Sequence, residues 1–184
     1  GLEPGQRVCL FMDRVPELYI GFVGGLKAGV IVQPLFSAFG EESLWTRLDN
    51  AQTTAVVTQM KHARKVHKIK DQLPNLKHVI IVDADDPAAL KDYEKPLALE
   101  SLPRVDDFPC FPSTAETPSV LHYTSGTTGQ PKGAQHVHYS LISQYLTSKW
   151  VLDFQPDDIY WCNADPGWVT GTSYGIIAPL LHGV

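Results

Sequence analysis

With 184 residues, 43% of them apolar and 19% charged, the chain has the composition of a soluble globular protein with one core or slightly more. Its net charge of −5 argues against a general nucleic-acid binder, which is usually basic. The three cysteines, Cys9, Cys110 and Cys162, are odd in number and lack Cys-x-x-Cys spacing, which reads as reduced thiols in a cytoplasmic protein.

Residues 7–12 read as a buried strand. Pro16 suits the first turn of a helix, Leu18, Phe22 and Leu26 recur on one face, and Gly29 is a natural stop. Residues 30–32 form the next strand. The apolar window 18–36 approaches the length of a membrane span, but Lys27, Gly29 and Pro34 divide it into a helix and a strand. A helix over 41–51 carries Leu44, Leu48 and Ala51 at helical spacing, and strands follow at 54–58 and 77–82. Between them, the helix predicted over 60–73 gathers Lys61, Arg64, Lys65 and Lys68 on one face and Val66, Ile69 and Leu73 on the other. Strands alternating with helices predict an α/β fold with a largely parallel sheet flanked by helices. Residues 84–117, rich in proline and acids, read as a surface connector with a short helix near 88–93.

Residues 121–133, Leu-His-Tyr-Thr-Ser-Gly-Thr-Thr-Gly-Gln-Pro-Lys-Gly, hold the densest chemistry. Thr124, Ser125, Thr127 and Thr128 supply hydroxyl donors, Gly126 and Gly129 let the backbone turn its amides inward, and Lys132 adds a mobile positive charge. That combination suits a polyphosphate. It is not a Walker A loop: the spacing of the glycines differs, Gly133 follows the lysine where Ser or Thr would stand, and the flanks read as strands. Beyond it, a helix is predicted over 139–150, a strand over 158–161, a turn over 164–167 and an apolar helix over 172–181. His136 and His138 could face one way as a zinc pair, but no third ligand is near in sequence, and they read as structural. Asp157 and Asp158 are adjacent, point apart and read as a turn.

Tyr123 to Gly133 resembles the signature loop of the adenylate-forming enzymes, which include acyl-CoA synthetases, luciferases and peptide-synthetase adenylation domains. Residues 161–180, Trp-Cys-Asn-Ala-Asp-Pro-Gly-Trp-Val-Thr-Gly-Thr-Ser-Tyr-Gly-Ile-Ile-Ala-Pro-Leu, resemble the acid-pocket segment of AMP-forming acetyl-CoA synthetases, and residues 16–20 and 34–42 are similar to the same subgroup. The resemblance implies part of a large N-terminal adenylation domain, divided into an α/β unit (1–83), a connector (84–117) and a phosphate-loop and acid-pocket portion (118–184). It implies activation of acetate or a similar short carboxylic acid with ATP and Mg²⁺, then transfer to coenzyme A.

In that reading, Thr124, Ser125, Gly126, Thr127, Thr128, Gly129 and Lys132 hold the phosphates, with Thr128 and Lys132 as the catalytic pair. Trp168, Val169 and Thr170 wall the acid pocket, Arg64 meets the phosphates of coenzyme A, and no protein group cages a metal. Neither nucleic acid nor membrane is an expected partner. The family's motifs for magnesium, ribose and the mobile C-terminal domain do not occur in these residues, so the chain reads as a fragment that does not turn over alone. The alternatives are a non-catalytic nucleotide-binding module and part of a medium-chain acyl-CoA synthetase.

Overall fold

The computed structural model describes residues 1–99, 102, 105, 107–124 and 129–184. Among these residues, seven strands make one sheet: β1 (Arg7–Phe11), β2 (Ile31–Pro34), β3 (Ala55–Thr58), β4 (His78–Ile81), β5 (Glu94–Pro96), β6 (Pro118–Thr124) and β7 (Lys132–Val137). Their order is β5-β4-β3-β1-β2-β6-β7. Every neighbouring pair is parallel except β6 and β7, which form an antiparallel hairpin.

Helices α1 (Pro16–Lys27), α2 (Glu41–Asn50) and α3 (Met60–Ile69) connect the first four strands. α4 (Ser140–Thr147) continues into a wide i→i+5 turn at Ser148–Leu152, and a similar turn at Ser173–Ile177 joins α5 (Val169–Thr172) to α6 (Ala178–His182). Side-chain alternation along the strands sorts the core to two faces. Cys9, Phe11, Val56 and Leu121 pack with Leu44 and Leu48 of α2 and Ala63 and Val66 of α3. Val8, Leu10, Val57 and Val120 pack with Leu18 and Phe22 of α1 and with Ile176 and Ile177. Burying Phe11 and Phe22, both at most 1% exposed, contributes about 2–3 kcal/mol each before the cost of ordering them.

Two stretches differ from the sequence expectation. The connector contains β5, which pairs with β4 at the sheet edge. Glu-Lys-Pro has weak strand propensity, and Pro96 is tolerated because an edge strand need not donate on its outer side. Residues 158–161, expected as a strand, lie outside the sheet. No strand among the described residues runs beside them, and Ile159 and Trp161 are 102% and 82% exposed.

The chain moves from β1 to β2, then crosses back over β1 to β3. That reversal opens a crevice beyond the carboxyl ends of β1 and β3, the usual ligand position in open parallel sheets.

Candidate functional site

Among the described residues, Thr124, Lys132 and Trp168 stand near the carboxyl ends of the parallel strands. Thr124 ends β6, Lys132 begins β7, and the two are cross-strand partners. Both are exposed, and Lys132 makes no ion pair among the described residues. Gly129 takes a left-handed φ of 81°, open to a glycine without strain. Ser125, Gly126, Thr127 and Thr128 lie outside the described residues. Below the loop, Tyr123 is buried, which pushes its phenol up to about 12, and its hydroxyl donates to Asn50 Oδ1 at 2.7 Å. An unpaired lysine beside a left-handed glycine fits an anionic group.

The second group stands at the end of β2. Phe36 and Phe39 meet edge-on at 5.6 Å, and Trp168 packs against them at 5.6 and 6.1 Å. The Arg47 guanidinium caps Phe39 from 4.2 Å. Trp168 and Val169 remain 47% and 43% exposed, and Thr170 is exposed, so one side of this wall is packed and the other open. A Cβ at Gly167 would collide with the backbone of Leu35 and Phe36, so glycine sets how closely the wall approaches β2. Asp165 acts as the turn residue the sequence suggested: its Oδ1 accepts from the Gly167 amide at 2.7 Å. Burial pushes its carboxyl up, and the Gly167 amide partly offsets this. The helix begins at Val169 rather than 172. Thr172 Oγ1 donates to the Pro166 carbonyl at 2.5 Å and holds the turn to the helix.

The third group lines the crevice. Asp13, just past β1, accepts from Lys61 Nζ and also pairs with His62 Nε2 at 2.8 Å. Lys61, ahead of the opposing cost of burial, holds the Asp13 carboxyl down to about 2. This cluster was not legible in sequence, because nothing local marks residue 13 as the partner of 61 and 62. It also changes the meaning of the basic face of α3. Lys61 is paired with Asp13, Lys65 donates to the Ser37 carbonyl at 2.9 Å, and Lys68 pairs with Glu41 at 2.5 Å. Arg64 is exposed, makes no ion pair among the described residues, and borders an open hollow of about 700 Å³ whose other charged lining is Lys61, Asp83, Asp85 and Asp86.

His136 meets His122 on the neighbouring strand, edge to face at 5.4 Å. Among the described residues, no three His, Cys, Asp or Glu side chains come together as a metal-binding group. No described helix is long and apolar enough to cross a membrane.

Fold and site together define an α/β protein that brings several loops together where the strands of a largely parallel sheet end. The chain belongs to the AMP-binding enzyme family, whose model matches residues 1–184. It is 44% identical to an acetyl-coenzyme A synthetase of Bacillus subtilis over 192 residues, covering 99% of this chain and 31% of that protein. It is 36% identical to an acetyl-coenzyme A synthetase of Pyrobaculum arsenaticum, covering 100% of this chain and 30% of that protein. Among solved structures, an acyl-CoA synthetase of Brucella canis superposes with a TM-score of 0.79 at 27% identity, covering 100% of this chain and 33% of that one. The chain thus spans about 30% of the length of the curated relatives it matches.

Proposed function

We propose that this chain is the phosphate-gripping and acid-binding portion of an AMP-forming acetyl-CoA synthetase, an acid–thiol ligase. A carboxylate oxygen of acetate or a similar short acid attacks the α-phosphorus of ATP. The bond to the bridging oxygen breaks, pyrophosphate leaves, and an acyl-adenylate forms. The thiol of coenzyme A then attacks the acyl carbon and AMP departs. Within this reading the enzyme works in the cytoplasm, where thiols stay reduced.

Negative charge moves onto the leaving pyrophosphate in the first step. Donors already aimed at that position lower the barrier without reorganising. Thr124, Ser125, Gly126, Thr127, Thr128, Gly129 and Lys132 are assigned to the β- and γ-phosphates, with Lys132 and Thr128 carrying most of the charge stabilisation. Mg²⁺, when bound, would be held mainly by the substrate phosphates and water and would help neutralise their charge. Trp168 and Val169 limit the volume open to the acid, and the Thr170 hydroxyl offers a hydrogen bond. Arg64 is assigned to a phosphate of coenzyme A.

The observation that carries this reading is a shared edge. An exposed Lys132 opposite Thr124, in no ion pair among the described residues, and a half-open Trp168–Thr170 wall both stand on the side where the parallel strands end. In the enzyme carrying this chain, Lys132→Ala should lower acetate-dependent ATP–pyrophosphate exchange by about 10²-fold or more, the size expected for losing one charge-stabilising donor. Exchange at the wild-type rate would remove Lys132 from the first step.

A further inference from the structure

Arg14 stands at the carboxyl end of β1, exposed and in no ion pair among the described residues. Its guanidinium is committed to backbone. Nη1 donates to the Cys162 carbonyl at 2.7 Å, and Nη2 donates to the Asn163 and Ala164 carbonyls at 3.1 and 2.7 Å. These three successive carbonyls belong to residues 162–164, which lie outside the sheet. Directly after them come the Asp165–Gly167 turn and Trp168.

We infer that Arg14 is a positioning residue for the acid pocket: its guanidinium latches residues 162–164 to the end of β1 and so fixes the Trp168–Thr170 wall that sets acid affinity and chain-length selectivity. The inference rests on the assignment of that wall to the acid. The wall is then mounted at two points. Gly167 is pressed against the backbone of Leu35 and Phe36 at the end of β2, and Arg14 fixes the chain just ahead of it at the end of β1. Both mounts are on neighbouring central strands. A planar fork can serve three carbonyls in a row, whereas an ammonium on a flexible stem cannot hold the same geometry. Losing the latch lets the wall drift, and small displacements at a positioning contact are amplified in rate and affinity.

The test uses Arg14→Lys and Arg14→Ala in the enzyme carrying this chain. The expected result is an acetate KM raised about tenfold by either change, because Lys cannot replace the fork, with the ATP KM and the thermal midpoint nearly unchanged. The preference for acetate over butyrate should fall. Added methylguanidinium should restore the acetate KM of Arg14→Ala. Acetate and ATP KM rising together would show general destabilisation and overturn the inference, as would no change in acid dependence. If Arg14→Ala does not fold, the KM split in Arg14→Lys decides alone. Val169→Gly run in parallel separates the two claims. If it admits longer acids while the Arg14 variants keep the wild-type acid KM, the pocket stands and the latch falls. If neither position affects acid dependence, the pocket assignment falls and takes the latch with it.

Discussion

Val169 stands half-exposed beside a packed indole, so its isopropyl group is the part of the wall that can change without disturbing the core. Replacing it with glycine removes volume on the open side. Val169→Gly should reduce the acetate-over-butyrate ratio of kcat/KM by about tenfold or more, in line with the worth of a methylene in an apolar pocket. An acid profile identical to wild type would show that Val169 does not face the acid. At this scale the sequence was uneven. Trp168, Val169 and Thr170 could be named because they are consecutive in one recognisable stretch. Arg14 and Asp13 could not, because their partners lie 148–150 and 48–49 positions away and meet them only when β1, α3 and the 162–164 segment converge.

The β6–β7 hairpin shows how an element can carry a titration hidden from its sequence. His122 is 2% exposed, its Nδ1 has no hydrogen-bond partner among the described residues, and the His136 ring lies 5.4 Å away. Burial first, and His136 second, push the His122 imidazole down to about 4. The unfolded chain takes up this proton near pH 6.5, while the folded chain resists until about 4. Stability is therefore intact above pH 6.5 and falls as the pH drops through that window, by on the order of 2 kcal/mol at pH 4.5. Urea denaturation between pH 7 and 4.5 should show this loss in the wild-type chain and a smaller one in His122→Gln. Equal slopes for the two would assign the acid sensitivity elsewhere. The principal strands and helices were readable from apolar periodicity, because each buries a face of its own. β5 escaped because three residues of Glu-Lys-Pro carry no such pattern. Residues 158–161 misled because apolar alternation marks a strand only where a neighbour supplies the hydrogen bonds.

Across the whole molecule, topology explains why distant motifs converge. Parallel strands bring the ends of β1, β2, β3 and β6 to one side, and the reversal at β1 opens the crevice occupied by Asp13, Lys61 and His62. Three basic neighbours on α3 already have partners. Arg64 borders the hollow, shared with Asp83, Asp85 and Asp86, without an ion pair among the described residues, and the proposed function assigns it to a phosphate of coenzyme A. Arg64→Ala should raise the KM for coenzyme A several-fold while leaving ATP–pyrophosphate exchange intact, since exchange requires only the first step. Unchanged dependence on coenzyme A would return Arg64 to the solvated surface.

The position of β7 has a mechanical consequence. It closes the sheet and is laddered on one side only, whereas β2, which supports the aromatic wall through Phe36, is flanked on both. Singly laddered backbone opens at lower cost than the centre of a sheet. Lys132 thus rides on a compliant jaw and Trp168 on a rigid one. Under the proposed function, the Lys132 side would follow charge as it migrates along the phosphate chain while the Trp168 side keeps its calibre.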